Sequence, residues 1–286
     1  MKIAIASGKG GTGKTTLSVN LASWLALQDK VVLVDLDTEE PNSGIFLKLP
    51  LIRSIIGVKP VPVWQSDNCL HCGKCQGYCQ FHAIISLPSE VLVFPKLCHS
   101  CYACSELCPA SALPMLNEKI GKIDHFAREN LTFIEGKLDV GQEMAVPLIK
   151  QAITYTESQS VNSEWLIFDS PPGNACPMIE ATKVADFIIL ISEPTPFGLY
   201  DLSLSVQSLR KLNRNFGVVI NREGIGNSDL ERYCLDEDIP VIARIPQSRL
   251  IAESYSAGKL VYHEDNDFLS SLKQIKDFLQ NDAFSC

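Results

Sequence analysis

No run of this 286-residue chain is apolar and long enough to cross a bilayer as a helix, which excludes an integral α-helical membrane protein. Its start lacks the basic n-region and small-residue cleavage site of a secretory leader and opens on a strand-like run over residues 2–6. Cytoplasmic residence is the expectation that follows. A basic surplus is missing as well. Twenty-five Lys and Arg stand against 33 Asp and Glu, a formal net charge of −8, so there is no general reserve of cations for nucleic-acid phosphates. Between residues 60 and 114 no long helical periodicity fits, which excludes a large apolar core for that stretch. Cysteine, by contrast, is abundant, with eleven residues. In a reducing compartment clustered thiols point to metal rather than to disulfides.

Residues 2–6 and 31–35 read as short buried strands around a glycine-rich turn, 8–16, and a helix over 17–27. That is a βαβ opening of a doubly wound sheet. Beyond the cysteine-rich stretch, 119–123 and 131–138 alternate like a hairpin, and 144–155 reads as a helix. Strands at 165–168, 187–191, 217–221 and 240–245 then alternate with helices, among them 200–212 and 229–235. The predicted fold class is therefore α/β, a doubly wound, mostly parallel sheet. Residues 1–59 and 116–286 form its two parts, and 60–115 form an inserted small α+β module that uses metal in place of a core. A last helix over 267–279 puts Phe268, Leu272, Ile275 and Leu279 on one face. Its surroundings hold Lys273 and Lys276 against Asp265, Asp267, Asp277 and Asp282, which is poor lipid chemistry, so a packed terminal helix is expected.

Residues 8–15 contain G-x-x-x-x-G-K-T, placed after a strand and opening a helix. Gly8, Gly10, Gly11, Thr12 and Gly13 let backbone N–H groups converge on phosphate oxygens, Thr16 closes the loop, and the N-terminus of the helix that follows adds a favourable dipole. Lys14 is in register to reach the β- and γ-phosphates of ATP or ADP, and Thr15 to hold Mg²⁺ through its hydroxyl.

Cys69, Cys72, Cys75 and Cys79 follow the spacing C-x2-C-x2-C-x3-C, and Cys98, Cys101, Cys104 and Cys108 repeat it, with Pro109 after the last. Both resemble the bacterial ferredoxin run, in which the fourth cysteine of each copy serves the other cluster. The resemblance implies two [4Fe–4S] clusters, one on Cys69, Cys72, Cys75 and Cys108, the other on Cys98, Cys101, Cys104 and Cys79. Zinc also takes four thiolates. Three cysteines crowded at two-residue gaps suit three corners of a cubane better. Gln80 stands where the first copy's proline would be. His71 and His99 read as residues beside the sites rather than ligands, Cys234 as a core residue, and Cys286 as a terminal thiol.

The string Lys9-Gly10-Gly11-Thr12-Gly13-Lys14-Thr15 resembles the deviant phosphate loop of the MinD/ParA and nitrogenase iron-protein superfamily. The resemblance extends to residues 32–37, to Ile167-Phe168-Asp169, to Pro171-Pro172-Gly173 and to the 192–198 segment, and the whole chain is similar to members carrying a ferredoxin insertion. It implies that Lys9 reaches a partner's nucleotide across an ATP-dependent homo- or heterodimer. It also implies that Asp37 orients the attacking water, that Asp169 holds a Mg²⁺-bound water, and that Asn221, Pro246 and Gln247 edge the adenine. Cys176 matches a position that holds a bridging cluster in the nitrogenase iron protein, but the second such cysteine has no counterpart near Gly141. The expected activity is Mg²⁺-dependent ATP hydrolysis coupled to electron transfer with a redox partner. A carrier role toward a metallocluster client and a MinD-like spatial positioning role are the alternatives.

Overall fold

A computed structural model of the protein describes residues 1–160, 162–281 and 283. Asp282 and Cys286, named above, lie outside the described residues. The chain opens with β1 (Lys2–Ala6), α1 (Lys14–Leu25), β2 (Val31–Asp35), α2 (Ser43–Leu47) and β3 (Leu51–Pro62). The cysteine-rich stretch holds α3 (Lys74–Tyr78), β4 (Ile84–Ser86), β5 (Val91–Val93) and α4 (Ala103–Glu106). Next come β6 (Met115–Arg128), β7 (Leu131–Leu138), α5 (Ala145–Gln159), β8 (Trp165–Asp169), α6 (Cys176–Thr182) and β9 (Phe187–Ser192). The chain closes with α7 (Pro196–Lys211), β10 (Phe216–Glu223), α8 (Asp229–Asp236), β11 (Val241–Pro246), α9 (Arg249–Ser256) and α10 (Asn266–Asn281). Among the described residues no helix is long and apolar enough to cross a membrane.

Two compact units result. The larger comprises Met1–Ile55, Ile123–Lys137 and Ile149–Cys286, the smaller Ile56–Lys122 and Leu138–Leu148. The strand order is β11-β10-β9-β1-β8-β2-β7-β6-β3. The six pairings from β11 across to β7 are parallel. Strands β2, β8 and β9 are near-continuous apolar runs buried along their whole length, as a parallel sheet covered on both faces requires. Leu17, Leu21 and Leu25 of α1 pack on Ile3, Ile5, Leu33 and Ile167 in the main core. The expected face of α10, Phe268, Leu272, Ile275 and Leu279, is buried in that same core. Lys276 reaches Asp29 at 3.0 Å and lies 5.7 Å from the Trp24 ring.

Helix α1 starts at Lys14, earlier than expected, because Gly13 at φ 96° supplies the left-handed cap from which the helix can begin at once. β3, α2, α6 and α9 were not foreseen. The first four residues of β3 are exposed, and where burial does alternate it falls on Gly57, Lys59 and Val61, so the apolar residues of the strand do not mark its buried face. The remaining three are short helices of five to eight residues, too brief to carry a period.

The small unit takes in more chain than residues 60–115. β3 and β6 continue into it without a turn, and residues 138–148 join it. Asp139 N–H donates to the Ile120 carbonyl at 2.9 Å, and a Cβ on Gly57 would run into Leu148. The interior of this unit is thin: Cys104 packs with Ile84, Val91 and Leu113, and Cys98 with Val61 and Ala83. The internal repeat is structural as well as sequential, with an offset of 29 residues from Cys69 to Cys98. Left-handed backbone recurs at matching positions: His71 and Ser100, Gly73 and Tyr102, His82 and Ser111. Five of these six carry a side chain that disfavours that region, so the wrap of each loop is imposed by its surroundings.

Candidate functional site

Strands β1, β2 and β8 lie side by side, and the loops after them converge at their carboxyl ends, the usual place for a ligand in an open α/β sheet. The register sets Asp35 directly beside Asp169. Gly173 N–H bonds the Ser7 carbonyl at 3.0 Å and Leu36 N–H the Asp169 carbonyl at 2.9 Å, tying the three loops together. A Cβ on Gly8 would strike the backbone of Asp201 in α7, so only glycine lets the loop run this close. Gly13 is backed by Asn221, whose amide donates to the Thr12 carbonyl at 2.7 Å.

The resulting cleft has a volume of about 460 Å³. Gly10, Gly11, Gly13, Lys14, Thr15, Thr16, Asp37, Asn221, Pro246 and Gln247 all line it. Gly8 and Thr12 support the loop from behind. Two lining side chains, Tyr255 of α9 and Phe268 of α10, went unrecognised in the sequence, because Phe268 reads as an ordinary helix-face residue and Tyr255 lies in a short helix with no sequence signal.

The electrostatics turn on one lysine and three carboxylates. Lys14 is buried, which lowers its pKa, while Asp169, Asp37 and Asp35 pull it back up. Burial raises Asp35, and the charge of Asp169 raises it further. Asp35 is not free to meet a ligand: its oxygens accept the N–H groups of Asp37 at 3.1 Å, Asn42 at 3.1 Å and Ser43 at 3.0 Å. It therefore shapes the loop that presents Asp37. Asp37 is pushed up to about 6 by burial and by Asp35, against the pull of Lys14. Burial also raises Asp169, with Lys14 and the Thr15 and Ser18 hydroxyls opposing. Ser43 Oγ donates to one Asp169 oxygen at 3.4 Å. The other, Oδ1, is buried with no partner among the described residues. An orphaned carboxylate oxygen beside the Thr15 hydroxyl suits a hydrated Mg²⁺.

Lys9 does not line the cleft. Its ammonium lies 3.5 Å from the buried carboxylate of Glu193, which also pairs with Arg222 at 2.8 Å. Glu193 falls in the 192–198 segment named for its resemblance, but the sequence assigned it no role; its pairing with Lys9 and Arg222 shows only in the fold. Cys176 is exposed at the first position of α6, and Cys234 is buried.

In the small unit the eight repeated cysteines are free thiols sorted into two cavities. Cys69, Cys72, Cys75 and Cys108 line one, with Trp64 and Leu113. Cys79, Cys98, Cys101 and Cys104 line the other, with Phe81, His99 and Tyr102. Each set takes three thiols from one copy and the fourth from the other. Backbone N–H groups point at sulfur in both copies: His71 at Cys69 and Ser100 at Cys98, both 3.4 Å, with Ala83 at Cys79, 3.2 Å, and Ala112 at Cys108, 3.3 Å. Burial raises the thiols of Cys75 and Cys98, and that of Cys104 to about 11. Among the described residues no three His, Cys, Asp or Glu side chains close on the position of a single metal ion. Trp64 Nε1 is buried without a partner in the same region. His99 stacks on Phe81 at 3.7 Å and His71 meets Trp64 edge-on at 6.1 Å, so both imidazoles are engaged with aromatic rings.

Comparison with known proteins agrees with the cleft. The family described as the CobQ/CobB/MinD/ParA nucleotide binding domain (CbiA) matches residues 3–261. An uncharacterized protein of Methanocaldococcus jannaschii is 28% identical over 98% of this chain and 97% of its own. An uncharacterized ATP-binding protein of that organism is 24% identical, over 96% and 85%. Among solved structures, the septum site-determining protein MinD with Mg-ADP from Pyrococcus horikoshii superposes with a TM-score of 0.61 at 21% identity, over 100% of this chain and 99% of that one. At that identity the likeness is one of fold.

Proposed function

Because the chain belongs to the CobQ/CobB/MinD/ParA nucleotide-binding family, we propose that it is a Mg²⁺-dependent ATPase that dimerises with ATP and carries two [4Fe–4S] clusters, its nucleotide state governing electron transfer to a redox partner. Lys14 binds the β- and γ-phosphates, and the backbone N–H groups of the Gly8–Thr16 loop hold the remaining oxygens. Thr15 and Asp169 hold the magnesium, which when bound neutralises phosphate charge. Asp37 orients the attacking water. Asn221, Pro246 and Gln247 edge the base. Lys9 exchanges Glu193 for the nucleotide of the partner protomer.

The sorting of eight thiols into two cavities, each completed by the other copy, is the observation that carries the cluster assignment. That sorting matches the cross-ligation pattern of two-cluster ferredoxins. Burial raises the thiols of Cys98 and Cys104 in one cavity, so their thiolates are unfavourable without a cationic guest, and N–H groups aimed at sulfur stabilise the thiolate form. When bound, each cluster supplies a one-electron couple. β3 and β6 each belong in part to both units.

An anaerobic iron and sulfide count with EPR, repeated with Mg·ATP, tests the proposal. Four irons and four sulfides per thiol set, with reduction rates that change on ATP binding, are expected. Zinc, or no metal after reconstitution, overturns the cluster assignment and leaves a nucleotide switch; rates indifferent to ATP overturn the coupling. The MinD likeness favours spatial positioning as a second reading. Against it, Lys276 of α10 is engaged with Asp29 and Trp24 rather than free for lipid. Sedimentation with anionic liposomes and ATP separates the two.

A further inference from the structure

Lys59 of β3 is 1% exposed, yet none of the ion pairs among the described residues includes it. Its ammonium donates to the Pro95 carbonyl at 2.8 Å and touches the Met144 sulfur at 3.5 Å. A buried cation whose direct partners are a carbonyl and a thioether is costly unless negative charge stands near; the Glu118 carboxylate supplies part of it. The geometry shows where the rest would be. The Pro95 carbonyl that receives Lys59 also receives the Cys98 N–H at 3.0 Å, so the ammonium is joined through one oxygen to the backbone of a cluster-site cysteine. Burial lowers the pKa of Lys59, and the positions of Cys98 and Glu118 oppose that shift.

The repeat provides an internal control. Ser66 is the counterpart of Pro95, and its carbonyl takes the Cys69 N–H at 3.1 Å, with no lysine upon it among the described residues. The exposed residue that follows is Asp67 in the first copy and Lys96 in the second, a weaker bias of the same sign. Two nearly equivalent thiol sets thus differ by one buried positive charge.

We propose that Lys59 is the fixed charge that sets the two sites apart in reduction potential, making the Cys79, Cys98, Cys101 and Cys104 site the one that takes an electron first. This rests on the cluster reading above. A cation beside a site whose negative charge grows on reduction favours the reduced state. One electron from an external low-potential donor, dithionite in the test, reduces one ferric centre; no bond breaks and no proton need move.

The test is an anaerobic EPR-monitored dithionite titration of wild type, Lys59→Met and Lys59→Arg, each with iron and sulfide counted. In Lys59→Met the electron affinity of one couple falls about tenfold or more, a shift of about 59 mV for a one-electron couple. The other couple stays put, and Lys59→Arg keeps the wild-type spread. Loss of iron in Lys59→Met but not in Lys59→Arg also supports a role for the charge. Loss in both variants identifies a packing residue and overturns the proposal, as do full iron content and unmoved potentials in Lys59→Met. A wild type without iron fails earlier, at the cluster reading itself.

Discussion

The larger unit and the smaller one are stabilised by different physics. In the larger, fully buried aliphatic side chains such as Ile3, Leu33, Ile167 and Ile189 meet in one core beneath a parallel sheet. Burial of that kind is indifferent to what the loops bind. The smaller unit has helices of five and four residues, strands of three, and an interior in which cysteines take the places of leucines. Its apolar clusters are too small to offset the ordering of that much chain. With the proposed clusters in place, the contrast teaches that one sequence can combine a region that folds by itself with another whose order depends on its guest.

Removing iron is the harshest way to break that comparison. Anaerobic chelation should open residues 60–115 to protease while the larger unit still binds nucleotide; the fragments and a nucleotide-binding titration are the readouts. If chelated protein resists cleavage, the small unit stands on packing and the contrast is wrong. Lys14→Ala, next in size, should cut hydrolysis by about 100-fold or more and leave iron content unchanged, measured by phosphate release and metal analysis.

A gentler pressure is pH. Asp37 sits at about 6 rather than the ordinary 3.8, and burial raises Asp35 and Asp169 as well. The folded protein therefore binds more protons than the unfolded chain across that window. Nucleotide-free stability is fully present below the unfolded pKa and falls as pH rises through about 6. Mg·ATP supplies the cation these carboxylates lack, so its thermal stabilisation should be larger at neutral pH than at pH values near the ordinary carboxylate pKa. Calorimetry with and without Mg·ATP checks the trend, and equal stabilisation at both pH values contradicts it. The smallest effect belongs to Glu193→Gln. Freeing Lys9 from its intrachain partner should strengthen ATP-dependent dimerisation severalfold, read by sedimentation velocity.

The parts legible in the sequence were those encoded by neighbours along the chain. The Gly8–Thr16 loop and both cysteine runs carry their chemistry within nine to eleven residues, and Val31–Asp35 and Trp165–Asp169 announce buried strands by composition. The unit boundary was not legible, because β3 and β6 cross it as unbroken strands. Glu193 escaped notice because its partners, Lys9 and Arg222, come from distant loops. Lys59 escaped because a lysine in a strand ordinarily faces water, and only the fold buries it. Tyr255 entered the cleft from a helix of eight residues with no motif of its own.

The exchange of one thiol between the two copies has a consequence for ancestry and for protein engineering. On the proposed cluster assignment a single copy cannot complete its own site; alone, it needs a second molecule of itself. The tandem arrangement thus fuses what a pair of identical short peptides would accomplish together, and excising either half forfeits both centres at once.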